Sequence, residues 1–245
     1  MMPMRLSDGM IRLFALVFGF SIAAIAVAVF LGDIRAQSIR DSALRLEEGS
    51  RINEAALLGL NDNRALRRAQ ESCRNVTAAV IIRKQAVDQI DDFADPSHRD
   101  AALDALYDTL QSALSCFPLE GRHWLSLAQS RLQLFGPDSV MVDALRIARA
   151  TRPGESDALA DRIVVVSWLY DAGIEAVEDL LRADLGLTLR YQDLDTIEEF
   201  YAGAGMNARR VFERELKFIP DERRTRIEQR VRQLNARLTE APYIQ

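Results

Sequence analysis

The sequence predicts an all-α protein in which a single N-terminal transmembrane helix is followed by an array of helical hairpins. Residues 13–32 form an uncharged apolar run of about twenty residues, which as a helix covers roughly 30 Å, the thickness of the hydrocarbon core of a bilayer. Beyond this run, apolar residues recur at the spacings of amphipathic helices, and turn residues separate the helices. The predicted boundaries are a short tail at 1–12, the span at 13–32, a juxtamembrane helical stalk at 33–60, an α-helical body at 61–240 and a tail at 241–245.

The apolar run has a second interpretation as a cleaved secretory signal peptide, because Arg5 and Arg12 precede it. It is longer than the apolar region of most signal peptides, and no convincing small-x-small site follows it. We therefore expect an uncleaved anchor. Ala15, Gly19 and Ala23 form a small-xxx-small ridge, the pattern that lets a second membrane helix approach closely, and they are the predicted packing face of the span.

Two features of the sequence give opposite predictions for the side of the membrane on which the body lies. Arginines are more numerous after the run than before it, which favours a cytoplasmic body under the positive-inside rule. Long domains translocate largely regardless of charge, however. The chain has two cysteines, Cys73 and Cys116, and such a sparing, even number in a domain outside the cytoplasm indicates one disulfide. We expect a periplasm-like location, with a cytoplasm-facing body and two buried free thiols as the alternative.

Composition narrows the class of partner. With 49% hydrophobic residues the chain has ample material for a core, and a net charge of −5 argues against nucleic acid as the main partner. All of the 31 basic residues except Lys84 and Lys217 are arginines, which we interpret as the coding bias of a GC-rich genome.

The region after the span is predicted to contain a polar stalk, a short apolar helix and one long amphipathic helix. Residues 33–48 continue as a polar helix whose apolar residues are too sparse for a deep core, so they form a stalk, and a short apolar helix follows at 53–60. One long amphipathic helix is then expected from Arg64 to about Phe93, with Cys73 on its apolar face.

The second cysteine lies where it can reach the first. Ser97 and Asp100 form a capping box that opens a helix to Leu114, and Cys116 follows, where a loop can bend it back. Cys73 and Cys116 are therefore the candidate disulfide. A bridge that closes a loop of about forty residues stabilises the fold by roughly 3 to 4 kcal/mol in the chain-entropy model.

Residues 122–155 are the most informative part of the body. Two apolar-faced helices are broken at Gly136-Pro137-Asp138 and end at Pro153-Gly154. The stretch resembles a tetratricopeptide unit, which runs from an early Trp to a closing Pro with a period near 34 residues. A generic Ala-rich hairpin is the alternative. The candidate partner-binding surface on this hairpin consists of Arg122, Trp124, Arg131, Arg149 and Arg152.

A second hairpin follows at 156–170 and 174–184, and three further helices at 194–202, 207–218 and 221–238. The run Ile163–Val166 would also suit a strand, but no partner strand is evident, so we predict a helix. Because this helix is apolar nearly all round, we expect it, including Trp168, to lie centrally in the core.

No catalytic chemistry is predicted. Neither His98 nor His123 has a partner at metal-ligand spacing, and no nucleotide-binding or nucleophile motif occurs. We expect a non-enzyme without cofactor or metal. We interpret the arginines of the last helix as a solvent-exposed face held by salt bridges. Binding of an anionic polymer is the alternative. We interpret Trp124 and Trp168 as residues that pack between the helices of their hairpins. The alternative is that they form a platform on which a sugar ring stacks.

Short motifs within residues 64–185 carry a family resemblance. They are Glu71-Ser72-Cys73-Arg74, Cys116-Phe117-Pro118, Trp124-Leu125-Ser126-Leu127-Ala128 and Arg152-Pro153-Gly154-Glu155. Together with the N-terminal span, they resemble small bacterial membrane-anchored, tetratricopeptide-like proteins associated with exopolysaccharide synthesis and export. The resemblance implies an inner-membrane accessory protein beside a polysaccharide synthase, polymerase or export channel, and it carries no catalytic residues.

Three functional hypotheses follow. The first is a membrane-tethered scaffold that binds protein partners of an envelope assembly, such as glycosyltransferase or polysaccharide-export subunits, or a second copy of itself. The second is a carbohydrate-binding or carbohydrate-modifying envelope protein, which requires an exposed Trp124 or Trp168 beside paired carboxylates. The third is a cytoplasm-facing tether for a soluble partner, which requires free thiols.

Overall fold

The computed structural model describes residues 17–18, 20–24, 27, 37–49, 64–89 and 96–240. These residues are helical apart from turns and short connections, and none of them forms a strand, which confirms the predicted all-α class. The chain divides into two compact units, Met1–Asp95 and Pro96–Gln245, here called unit 1 and unit 2. The division therefore falls inside the body that the sequence predicts at 61–240.

The predicted span lies largely outside the described residues. Its described positions, 17–18, 20–24 and 27, are helical and exposed. Of the predicted packing face, Ala23 is among them, whereas Ala15 and Gly19 are not. In the part of the chain that the structure describes, no helix is both long and apolar enough to cross a membrane.

Unit 1 contains a core to which the predicted stalk contributes. Helix α1 (37–47), α2 (Arg64–Gln70) and α3 (Val76–Gln89) follow one another along the chain. Ile39 and Ala43 of α1 are 1% and 3% exposed and pack with Leu66 of α2 and Ile82 of α3. The prediction of a coreless stalk at 33–48 is therefore wrong: alanines on the facing helices let these few apolar side chains reach full burial.

The long helix predicted at 64–93 is interrupted. Residues 71–75 form a turn between α2 and α3, in which Val76 N–H and Asn75 N–H both bond Ser72 C=O. Ser, Asn and Cys are poor helix formers, and one of each lies in these five positions. The side chains of Ser and Asn also hydrogen-bond the backbone in turn conformations. Cys73 is consequently an exposed turn residue, and the prediction that it lies on an apolar helix face is wrong.

Unit 2 contains the remaining described helices. They are α4 (Pro96–Cys116), α5 (Gly121–Phe135), α6 (Ser139–Thr151), α7 (Ser156–Asp171), a 3-10 turn (Glu175–Val177), α8 (Glu178–Tyr191), α9 (Leu194–Gly203), α10 (Met206–Leu216) and α11 (Asp221–Glu240).

Several breaks between these helices lie where the sequence predicts them, but the helix predicted at 174–184 does not end there and continues to Tyr191 as α8. Gly136 and Gly173 adopt positive φ, which glycine tolerates without strain, just after α5 and α7. Asp138 caps α6 by accepting the Met141 N–H at 2.8 Å, and Asp193 caps α9 by accepting the Thr196 N–H at 2.8 Å. The helical assignment of Ile163–Val166 is confirmed, since this run lies inside α7.

In unit 2, helices pack against the next helix along the chain and also against the helix after that one. The closely packed pairs include α4 with α5, α5 with α6, α7 with α8 and α8 with α10, and α5 also contacts α7. Most side-chain bonds between helices of unit 2 join residues 30 to 39 positions apart, although the Arg162–Asp184 pair is only 22 apart. Examples of the longer separations are 34 residues for Arg99 to Gln133, 33 for Arg122 to Glu155, 33 for Arg182 to Glu215 and 34 for Arg223 to Leu189.

Candidate partner-binding surface

The arginines of the predicted surface lie in an ion-pair network where α5 begins, α6 ends and α7 begins. Arg152 bonds Glu120 at 2.8 Å and Glu155 at 2.5 Å, while Arg122 bonds Glu155 at 2.9 Å. The hydrogen bond from Arg152 lowers the pKa of the Glu155 carboxyl and raises that of the Arg152 guanidinium. These charges therefore fasten three helix ends to one another.

Beneath this network lies a buried ion pair. Arg162 of α7 and Asp184 of α8 are 1% and 0% exposed, and two guanidinium nitrogens bond the two carboxylate oxygens at 2.7 and 2.8 Å. Arg162 also donates to the carbonyls of Arg152 and Pro153, which follow α6. Arg149 lies 3.4 Å from Asp184 through its Nε. The pair joins α6, α7 and α8, and its donors satisfy otherwise unpaired helix-end carbonyls.

Arg131 lies at the opposite end of the α5–α6 hairpin. Its guanidinium makes a forked contact with Asp138, donates to the Tyr107 hydroxyl at 3.0 Å and stacks 5.1 Å from the Phe135 ring centroid. The hydrogen bond with Asp138 raises the pKa of Arg131 and lowers that of Asp138. Through these contacts Arg131 holds α4, α5 and the N-terminal cap of α6 together.

Trp124 stabilises the connection between α4 and α5. It is half-buried, and its indole N–H donates to the Pro118 carbonyl at 2.8 Å. The structure thus brings Arg122, Arg149 and Arg152 together, and it places Arg131 at the other end of the α5–α6 hairpin. The prediction that these five residues bind a partner stays a prediction, but each arginine already has an intramolecular carboxylate.

A different surface presents apolar side chains to solvent. Asp157, Asp161, Val164 and Trp168 follow one another on α7 at spacings of four, three and four residues, and all are exposed. We call these four residues the α7 stripe. Val164 is 58% exposed and Trp168 is 59% exposed, so the prediction that Trp168 lies in the core is wrong.

The sequence does contain a signal for this stripe. Leu159, Ile163, Val166 and Leu169 are buried and by themselves form a complete helical core face. Val164 and Trp168 fall outside that period, so the core-facing side of α7 is complete without them. The apolar character of the whole helix concealed this difference between core-facing and exposed residues.

Both predicted disulfide cysteines are bonded. Cys73 and Cys116 are disulfide-bonded and the chain has no third cysteine, which confirms the predicted pair. Cys73 lies in the turn of unit 1, and Cys116 is the half-buried last residue of α4.

Titratable groups with metal-ligand chemistry are dispersed. Within the described residues, no three His, Cys, Asp or Glu side chains form a group that would hold a metal ion. His98 is exposed at the start of α4, and His123 is 8% exposed in α5. Burial lowers the pKa of His123, and Arg152 lowers it further, whereas Glu120 raises it. No protein-family model, curated protein or solved structure matches this chain.

Proposed function

We propose that this chain is a non-catalytic, membrane-tethered scaffold that binds a protein partner of a bacterial envelope assembly through the α7 stripe. The observation that carries the proposal is the exposure of Trp168 and Val164 on a helix whose other face completes the core. Exposed aromatic and aliphatic side chains that lie together on one helix face are typical anchors of protein–protein contacts. The neighbouring carboxylate of Asp161 favours a partner surface that carries a basic residue beside an apolar patch. Asp157 already lies 3.4 Å from Arg122.

The helical packing of unit 2 supports a tetratricopeptide-like stack. Most side-chain bonds between helices of unit 2 have separations of 30 to 39 residues, a range that includes the period of about 34 residues of tetratricopeptide units. Such stacks bury each hairpin against the next and use their exposed helix faces to bind partners. In this proposal the arginine network keeps the stack in register, and the α7 stripe makes the contact.

The disulfide supports a body outside the cytoplasm. A bonded Cys73–Cys116 pair persists in oxidising compartments such as the bacterial periplasm and is rare in the cytosol. We accordingly propose an inner-membrane protein that residues 13–32 anchor. The class of partner, a polysaccharide synthase or export subunit, rests on the resemblance of the short Cys, Trp and Pro-Gly motifs.

The exposure of Trp168 also favours a second candidate function, carbohydrate binding. An exposed indole can stack on a sugar ring, and Asp161 lies two turns earlier on the same helix. The next carboxylate, Asp171, accepts the N–H groups of Gly205, Asn207 and Ala208 and so caps α10. With its oxygens occupied in this way, Asp171 does not complete a carboxylate pair beside Trp168, which makes this candidate the weaker one.

The test compares two variants of the full-length protein in its own membrane. In one, Val164→Ala and Trp168→Ala together remove the apolar part of the α7 stripe. In the control, Tyr191→Ala removes an aromatic side chain that is 75% exposed at the end of α8. We expect a defined envelope protein to co-purify after cross-linking with the wild type and the control, and to be lost with the stripe variant.

Two results would contradict the scaffold. One is retention of the same partner by the stripe variant, and the other is saturable quenching of Trp168 fluorescence by exopolysaccharide fragments without any protein partner. The second result would establish the carbohydrate-binding candidate instead. Far-ultraviolet circular dichroism of each variant separates loss of binding from loss of fold.

A further inference from the structure

A cleft of about 310 Å³ opens between α10 and α11 in unit 2. Residues 217–220 join these two helices, yet the two are not among the closely packed helix pairs, and this leaves space between them. The volume lies at the lower end of the range of roughly 300 to 1,000 Å³ that is typical of small-ligand pockets.

The floor of the cleft is apolar and preformed. Tyr201, Phe212 and Leu216 line it and are 7%, 1% and 7% exposed. The ring of Phe212 packs edge-on against that of Tyr201 at 5.1 Å and stacks with Phe200 at 6.2 Å. Because these rings hold one another in place, a ligand that enters the cleft meets a surface that needs no rearrangement.

The rim of the cleft carries two cationic side chains that make no ion pair with the part of the chain that the structure describes. Most arginines of α11 have intramolecular partners, such as Asp221 for Arg224 and Glu222 for Arg226. Among the described residues, no hydrogen bond or ion pair involves the side chain of Lys217 or that of Arg232. Both side chains are exposed at the rim.

The carboxylates at the rim do not neutralise these cations. Glu228 lies 3.8 Å from Arg224, so its charge is already shared. Glu213 is exposed and one helical turn from Lys217, but the two make no ion pair within 4 Å among the described contacts. The rim is therefore positively biased at Lys217 and Arg232, above an aromatic floor.

We propose that this cleft binds a compact amphipathic anion, in which an aryl or short alkyl group packs on Tyr201 and Phe212 and a carboxylate bonds Lys217 and Arg232. A charge-assisted hydrogen bond to an otherwise unpaired cation gains more than one between neutral groups. A cationic ligand is repelled by the same two side chains. This site is separate from the α7 stripe and does not depend on the scaffold function.

The two lysines of the chain provide an internal comparison for testing the site. Lys217 is at the rim of the cleft, whereas Lys84 is exposed on α3 in unit 1. In the full-length protein in detergent micelles, the rates of amine acetylation at both lysines are measured by mass spectrometry. The probe is phenylbutyrate, and the neutral control ligand of the same shape is phenylbutyramide.

We expect phenylbutyrate to slow acetylation of Lys217 with saturation and to leave Lys84 unchanged, and we expect the amide to have little effect. Arg232→Gln should weaken this protection about tenfold, the effect of losing one charge-assisted contact. Arg226→Gln on the same helix should not change it, because Arg226 does not line the cleft. Val231→Trp, which fills the cleft from α11, should abolish the protection.

Three results would overturn the proposal. They are an unchanged acetylation rate at Lys217 in phenylbutyrate, equal protection by the amide, and full protection in the Arg232→Gln variant. Protection of Lys84 in parallel with Lys217 would likewise reveal an effect of the micelle or the reagent and would overturn the site.

Discussion

Asp184 shows how the arginine-rich composition serves the fold at the scale of single residues. Its carboxylate is fully buried, yet Arg162 contacts both of its oxygens and Arg149 approaches it from α6. Arg223 in turn donates to the carbonyls of Leu189 and Gln192 at the end of α8, and Arg209 to those of Tyr201 and Ala202 at the end of α9. The arginine side chains therefore stabilise the fold by donating hydrogen bonds to the carbonyls at helix ends and to a buried carboxylate.

Removing one charge of the buried pair should destabilise unit 2 strongly. Asp184→Asn leaves Arg162 buried without its counter-charge, and breaking such a pair typically costs about 3 to 5 kcal/mol. The double variant Arg162→Met with Asp184→Leu should recover much of that loss, because it leaves no buried charge. Urea unfolding of both variants gives the two free energies, and equal losses would contradict the role assigned to the pair.

His123 should make the stability depend on pH. Burial lowers its pKa below the ordinary value of 6.5, so between that value and its folded pKa the unfolded chain binds more protons than the folded chain. The contribution of His123 is complete above pH 6.5 and is lost as the pH falls through this window. Thermal unfolding of wild type and His123→Asn should therefore converge in slope above the window and diverge within it; parallel profiles throughout would contradict the burial argument.

At the scale of elements, a single glycine sets the approach of α5 to α6. A Cβ at Gly121 would lie 2.8 Å from Thr151 Oγ1 and 3.0 Å from the Ala148 carbonyl, both at the end of α6. Since that backbone cannot give way easily, α5 begins close to α6 only because residue 121 has no side chain.

Alanine substitutions at two glycines should have opposite effects. Gly121→Ala should destabilise the fold by about 1 to 3 kcal/mol through overpacking. Gly186→Ala, inside α8 with nothing within 4 Å of a new Cβ, should stabilise it by about 0.5 to 1 kcal/mol because alanine is the better helix former. Chemical denaturation of both variants checks this, and a stabilising Gly121→Ala would show that the helices do not meet as described.

Helix boundaries that are marked by Gly, Pro or a capping Asp were predictable from the sequence. Features that depend on tertiary packing were not. Gly136-Pro137-Asp138 ends α5 and caps α6 by local chemistry, so the hairpin and its break were foreseen. The turn at 71–75 was not, because the apolar spacing of Ala69, Cys73 and Val76 continues across it as if the helix were unbroken. Trp168 was assigned to the core because hydrophobicity alone does not distinguish the residues that a helix buries from those it presents.

The candidate site was predictable only in part for the same reason. The arginines around 122–155 were expected to form a surface, but Arg122, Arg149 and Arg152 each pair with a carboxylate more than thirty residues away. Which carboxylate each of them meets depends on how the hairpins stack. The disulfide pair, in contrast, required no such knowledge, because a chain with two cysteines permits one pairing.

At the scale of the whole molecule, the disulfide should contribute to stability and report on location. A double variant, Cys73→Ser with Cys116→Ser, should lose roughly 3 to 4 kcal/mol, the value expected for a closed loop of about forty residues. In intact cells the wild-type thiols should resist alkylation until a reductant is added. Rapid alkylation of both cysteines without reductant would contradict a body in an oxidising compartment.

The measurement that tests the scaffold most directly is photo-cross-linking from a single position in intact cells. A photoreactive benzoylphenylalanine is placed at Val164 in the α7 stripe, and at Tyr191 as the exposed control on α8. We expect one discrete protein adduct from position 164 that is absent from position 191 and disappears with Trp168→Asp. No adduct from position 164, or the same adducts from both positions, would contradict the assignment of the α7 stripe as a partner-binding surface.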